Sequence, residues 1–270
     1  MTAFVFLHGF AQTPASWDAV VQRLQAAGHR TYVLDLYESK GDLKLLGTEG
    51  ALEDAERGKG VEGDAGAEGA LASACDPLAS LGAVCDRVAA IVRLVAQADG
   101  APVLVETVVR HPDLPLAGLV LESAGLGPSD EAARATLAER NAAWARRLRE
   151  EGVAAFMDWW ETLPLFASQQ ALPSEAHAAV RTERISRDAG PLARSLEAWG
   201  AHHQAAEEVT LSVLAELTNR NVPVLYLAGT LDEKYSAVAA RVRAAGLPAM
   251  LVPDAGHNVH LEVFTFSCRR

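Results

Sequence analysis

An α/β architecture, a mostly parallel sheet with helices on both faces, is what the order of elements along this 270-residue chain predicts. Three observations carry the expectation. Short apolar runs bounded by turn residues occur at 3–7, 31–36, 103–105, 116–121, 222–227 and 249–252, and unbroken apolarity over a few residues marks strands covered on both sides. Helical periodicities separate several of these runs. One long block, residues 128–218, carries helical patterns and almost no strand signal.

The first 37 residues set the pattern. After the strand 3–7 comes a loop, then a helix with Thr13 as N-cap and Pro14 in its first position. Trp17, Val20, Val21 and Leu24 share one face of it, and Gly28 serves as its stop. The strand 31–36 follows. Residues 38–70 are rich in Ala, Gly, Glu and Asp, with few apolar anchors and no sustained period, so they are expected to be a disordered surface insertion. Leu81, Val84, Val88, Ile91, Val92 and Val95 recur at helical spacing. Within 128–218, Trp144, Phe156, Trp159, Trp160, Phe166 and Trp199 are interleaved with arginines.

Composition excludes several functional classes. Acidic residues outnumber basic ones, 35 against 24, for a net charge of −11, which repels a nucleic-acid backbone. The amino-terminal stretch lacks a basic segment followed by a long apolar one. No run approaches the roughly 18–20 apolar residues of a membrane span, so a cytoplasmic protein without membrane association is expected. Cys75, Cys85 and Cys268 are odd in number and lack C-x-x-C spacing, which predicts reduced thiols and no zinc site. No metal or other cofactor is expected, and the oligomeric state is left open.

Two segments near the carboxyl terminus carry chemistry. Gly229-Thr-Leu-Asp232 and Ala255-Gly-His257-Asn-Val-His260-Leu-Glu262 each follow an apolar run that ends in a turn. The order Asp232 then His257, 25 residues apart with a helix and a strand between, suits an Asp that orients a His as a base. The bland alternative makes Asp232 a helix cap and His257 a polar loop residue. His8-Gly9-Phe10 after the first strand leaves the Phe10 N–H free to act as an oxyanion donor, or else forms an ordinary strand-end turn. Arginines of the helical block could grip an anion through the guanidinium fork. Arg146, Arg147 and Arg149 beside Glu150 and Glu151 read instead as a solvated face. Trp159 and Trp160 are adjacent and so point to different sides of a helix.

Together these signals predict an α/β-hydrolase fold: a core from 1–127 and 219–270 and a helical lid from 128–218. No G-x-S-x-G nucleophile elbow occurs; 103–105 runs directly into Glu106-Thr-Val-Val-Arg110. Ser123 is the nearest remaining serine by strand order.

The stretches HGFAQTPASWD, LVLESAGLG, FMDWWETLPLFASQ, PVLYLAGTLDEKY and AGHNVHLE resemble the 2-succinyl-6-hydroxy-2,4-cyclohexadiene-1-carboxylate synthases of menaquinone biosynthesis. The resemblance covers most of the chain outside 38–100. It implies a carbon–oxygen lyase that uses a Ser-His-Asp base system to eliminate pyruvate from a polycarboxylate, hence a small anionic substrate. Carried over by motif, Asp232 is the orienting acid, His257 the base, Phe10 N–H an oxyanion donor and Trp160 a pocket wall. The lid arginine falls in 134–140, with Arg140 first and Arg134 second. The chain departs from the family where VLVGYSMGGR and a helix are expected: about ten residues are absent, including the serine. A non-catalytic relative that binds an anionic metabolite or a partner is the alternative reading, and a serine esterase a weaker one.

Overall fold

The computed structural model describes residues 3–37, 105–111 and 113–267. The expected insertion 38–70, the helical pattern from Leu81 to Val95, positions 103 and 104, and all three cysteines lie outside the described residues.

β1 (Ala3–Leu7) and β2 (Arg30–Leu34) pair in parallel, with Ala3 opposite Arg30 and Leu7 opposite Leu34. Between them Thr13 caps a 3-10 turn, Pro14–Trp17, which runs into α1 (Asp18–Ala26). Gly28, at φ 83°, takes the left-handed turn that ends the helix. β2 stops two residues short of the expected 31–36 because its end turns inward: Leu36 N–H donates to His8 Nε2 at 3.0 Å and Tyr37 N–H to Asp35 Oδ1 at 3.0 Å.

α2 (Val105–Arg110) begins at Val105, which the sequence pattern assigns to a strand. A three-residue apolar run is too short for periodicity to arbitrate. β3 (Leu119–Glu122), β4 (Val224–Gly229) and β5 (Ala249–Val252) form a second parallel sheet in the order β3-β4-β5. β4 starts later than 222 for a local reason. Asn221, at φ 64°, turns the chain so that Val222 N–H donates to the Leu217 carbonyl and finishes the preceding helix.

The described residues from Glu131 to Asn219 are helical or connecting, without a strand. α3 (Glu131–Trp160) is capped by Asp130, whose carboxylate accepts Ala133 N–H at 2.7 Å, and is broken at Gly152 (φ 80°, ψ 168°). After a 3-10 segment, Pro164–Ala171, come α4 (Ser174–Ile185), α5 (Ala189–Trp199), a short turn Ala201–His203 and α6 (Glu207–Asn219). α7 (Glu233–Ala244) joins β4 to β5, and α8 (Val259–Ser267) follows.

Two apolar clusters result. Val5 and Leu34 from the first sheet pack with Leu119, Leu121 and Tyr226 from the second and Leu214 from α6, so both sheets share one core. Leu148, Phe156, Met157, Trp160 and Phe166 build the core of the helical block, and Ala11 and Tyr37 enter it from the sheet side. Among the described residues, no helix is long and apolar enough to cross a membrane.

Candidate active site

The C-terminal ends of β4 and β5 bring Asp232 and His257 together. Gly229 abuts the Ala255 carbonyl so closely that a Cβ there would collide with it. Leu231 N–H donates to that same carbonyl at 2.9 Å and Thr230 N–H to Val252 at 3.0 Å, which joins the two loops. Asp232 then does two things at once. Its Oδ1 caps α7 by accepting Tyr235 N–H at 3.0 Å, and its Oδ2 meets His257 Nδ1 at 2.9 Å. The cap and the orienting acid are two oxygens of one buried carboxylate. With Nδ1–H directed at Asp232, a neutral imidazole presents Nε2 as a base. The ring lies against Tyr235, centroids 4.9 Å apart, with the edge of Phe166 at 5.9 Å, and its side chain is 20% exposed.

Glu262 closes the motif that holds His257, and nothing in the sequence pattern assigns it a role. It is fully buried, and its two oxygens accept the N–H groups on either side of His257: Gly256 at 2.6 Å and Asn258 at 3.3 Å. Gly256 itself admits no side chain, since a Cβ would strike Ser168 and lie 2.8 Å from Glu262 Oε2. Nearby, Glu122 at the end of β3 accepts both the His260 N–H at 3.2 Å and its ring Nδ1–H at 2.6 Å. The His260 ring stacks on Trp17 at 3.9 Å.

The loop after β1 is held amide by amide. Gly9 N–H donates to Gln12 Oε1 at 2.7 Å, Ala11 N–H to the Tyr37 hydroxyl at 3.3 Å, Gln12 N–H to the Gly9 carbonyl at 3.2 Å and Thr13 N–H to Glu183 at 2.5 Å. Among the described residues, Gly9, Ala11, Gln12 and Thr13 thus have acceptors, and no acceptor lies on the Phe10 N–H between them. His8 Nδ1 lies 3.0 Å from the Gly9 carbonyl, which can only accept, so Nδ1 carries a proton in either charge state of the ring. Burial pushes the Asp35 carboxyl up, but the contact with the His8 ring and hydrogen bonds from Arg187 and the Tyr37 N–H outweigh it and hold the group well below the usual carboxylate range. Burial also pushes the Tyr37 phenol up to about 12, so it stays protonated.

The helical block places aromatic rings beside Phe10. Buried Trp160 lies 5.6 Å from Phe10 and 4.1 Å from Phe166, while Trp159 turns the other way, onto Trp144 and beneath Arg147. Arg140 is half-buried over the Trp144 ring and donates to Asn141 Oδ1 at 3.0 Å. Burial lowers its pKa, and Tyr235, the residue packed on His257, acts in the opposite sense. Arg134 is placed differently, donating to the His202 and Gln204 carbonyls at 2.6 and 2.9 Å and to Glu131. Arg147 and Arg149 pair with Glu151 and Glu197 on the surface.

Two further arginines escaped the sequence reading, which had no signal to separate them from the solvated ones. Arg184 is buried against Trp160 and Phe166 and donates to Glu161 and Gln169. Arg187 reaches the Phe10 loop. Ser123, at φ 44°, keeps a buried hydroxyl without a partner, and His257 has Asp232 as its hydrogen-bond partner among the described residues. Among those residues no group of three His, Cys, Asp or Glu could hold a metal ion.

The chain is 33% identical over 146 residues to a 2-succinyl-6-hydroxy-2,4-cyclohexadiene-1-carboxylate synthase of Serratia proteamaculans (strain 568), covering 54% of this chain and 52% of that protein. It is 33% identical over 153 residues to the protein of the same name from Klebsiella pneumoniae (strain 342), covering 56% of each. The chain thus spans little more than half the length of these curated relatives. Its fold is similar to that of MenH from S. aureus, with a TM-score of 0.73 at 20% identity over 99% of this chain and 92% of that one. It also resembles a thermophilic esterase from Thermogutta terrifontis, with a TM-score of 0.62 at 19% identity over 100% and 88%. The model of the alpha/beta hydrolase family matches residues 4–263, and the chain belongs to that family.

Proposed function

We propose that this chain is a cytoplasmic lyase of the 2-succinyl-6-hydroxy-2,4-cyclohexadiene-1-carboxylate synthase type whose turnover is impaired for want of a nucleophile elbow. The observation that carries the reading is the Asp232–His257 hydrogen bond of 2.9 Å. Relatives that bear the synthase name support it. In this reading His257 Nε2 removes a C–H proton, the carbon–oxygen bond to the leaving group breaks, and enolpyruvate departs to become pyruvate. The Phe10 N–H stabilises the developing oxyanion. Trp160 walls the pocket, and the helical block 128–218 closes over it as a lid. Arg140 takes a substrate carboxylate; it is preferred to Arg134, whose guanidinium already holds two carbonyls. The substrate is a small polycarboxylate.

The missing G-x-S-x-G favours a second reading, a non-catalytic relative that binds the same anion. One experiment separates them. Pyruvate release from the menaquinone precursor is measured for the chain, for His257→Ala, and for a variant with a GYSMGGR segment inserted between Val105 and Glu106. Loss of a triad member typically lowers a rate by about 10⁴- to 10⁶-fold. The chain is therefore expected to release almost no pyruvate and His257→Ala to change little. The insertion should restore release that depends on His257. Binding of the precursor without turnover after insertion would favour the second reading, and hydrolysis of simple esters alone an esterase. Fast release by the unaltered chain would show that another residue supplies the chemistry, with Ser123→Ala as the next test.

A further inference from the structure

The loop that presents Phe10 is gripped from the helical block. Near the end of α4, Glu183 Oε1 accepts both the N–H and the hydroxyl of Thr13, at 2.5 and 2.7 Å. Just beyond that helix, Arg187 places Nε and Nη2 on the Gln12 carbonyl, at 3.0 and 2.7 Å, and Nη1 on Asp35 Oδ2 at 2.9 Å. Both arms of Arg187 lead to one atom, the Gly9 carbonyl oxygen. Through Gln12, the arm continues as Gln12 N–H donating to Gly9 at 3.2 Å. Through Asp35, it reaches the His8 ring, whose Nε2 accepts the Leu36 N–H and lies 3.3 Å from Asp35 Oδ1, and whose Nδ1–H donates to Gly9 at 3.0 Å.

The Gly9 carbonyl and the Phe10 N–H belong to one planar trans peptide, so whatever holds the carbonyl aims the N–H in the opposite direction. Ala11, next in the chain, stands at φ 58°, a left-handed conformation that an L residue keeps only when its surroundings impose it. We propose that Glu183 and Arg187 are positioning residues for the Phe10 amide, so that the helical block sets the direction of this donor in addition to covering the site. The inference rests on the reading of Phe10 N–H as an oxyanion donor.

The test uses the full chain with ¹⁵N labelling and two readouts. Amide hydrogen exchange at Ala11 and Thr13 follows the grip itself, and the Phe10 amide resonance during titration with succinate follows the donor. The variants are Glu183→Ala, Glu183→Gln, Arg187→Ala and Arg187→Lys. Arg149→Gln serves as a control that breaks an exposed ion pair of the same block.

Both alanine variants should speed exchange at Ala11 and Thr13 by at least about tenfold and abolish the succinate-induced shift at Phe10, with the Tyr226 amide still protected. Glu183→Gln keeps an acceptor and should retain the shift. Arg187→Lys keeps the charge but loses the fork, and should reduce it. Arg149→Gln should match the unaltered chain. Unchanged loop exchange and an unchanged Phe10 response in both alanine variants would overturn the proposal. If an alanine variant unfolds and loses Tyr226 protection, Arg187→Lys decides: a retained Phe10 shift and retained Thr13 protection overturn the proposal, their loss supports it. Absence of any Phe10 shift in the unaltered chain would overturn the oxyanion reading instead, and the exchange rates would still decide whether the block holds the loop.

Discussion

Around His257 the backbone is held by a carboxylate on the next helix, Glu262, six positions from Gly256 and four from Asn258. Around Phe10 the holding groups come from afar: Tyr37 is 26 residues from Ala11, Glu183 is 170 from Thr13 and Arg187 is 175 from Gln12. For the backbone acceptors of the first loop, α8 beside it suffices. The second is complete only when the helical block has docked, because such long-range contacts follow closure of a long stretch of chain. One half of the site is thus a local structure, and the other half reports on tertiary assembly.

Breaking the local half should cost the most. Glu262→Ala leaves two buried N–H groups without acceptors, and at roughly 1–3 kcal/mol each the variant should lose about 3 kcal/mol, read from the urea midpoint at constant m value. Gly256→Ala forces a methyl against Ser168 and Glu262, and overpacking of this kind should lower stability by about 2 kcal/mol in the same assay.

The distant half has a pH signature of its own. Asp35 is held below the usual carboxylate range, so its stabilising effect is fully present above the ordinary aspartate value of about 4 and is lost as pH falls below it. Asp35→Asn should lower stability at pH 7 by about 1.5 kcal/mol and flatten the acid limb of the stability profile. An acid limb that keeps its slope in Asp35→Asn would remove this carboxylate from the docking contact. Least affected should be Arg149→Gln, which breaks an exposed pair within the block and should shift stability by less than about 1 kcal/mol. A larger loss there would mean that the block is held together from its surface, which would blur the contrast between the two loops.

The two loops were unequally legible. Asp232 and His257 stand out in the chain because each follows an apolar run, in the order an orienting acid and a base require, and the 2.9 Å contact between them follows from that spacing. The strand 249–252 is read to the residue for a similar reason: turn residues bound it on both sides. The strand ends at 34 and 224 were misjudged because hydrogen bonds to His8 and to the Leu217 carbonyl outweigh apolarity there. Val105 was misassigned because three apolar residues carry no period.

Arginines were hardest. Arg147, Arg149, Arg184 and Arg187 share the same composition of surroundings in the sequence. Two pair on the surface, one is buried beneath Trp160 and Phe166, and one clamps Gln12 and Asp35.

The sequence by itself determined the α/β class, the alternation of most strands and helices and the pairing of Asp232 with His257, because periodicity, turn residues and motif spacing act over a few to some tens of residues. Only the tertiary structure decided which arginines are buried, that Trp160 rather than Trp159 meets Phe10, and that the amides around Phe10 find acceptors on Gln12, Tyr37 and Glu183. Those outcomes depend on partners as many as 175 residues away, and no local pattern in a chain encodes which distant side chain will arrive.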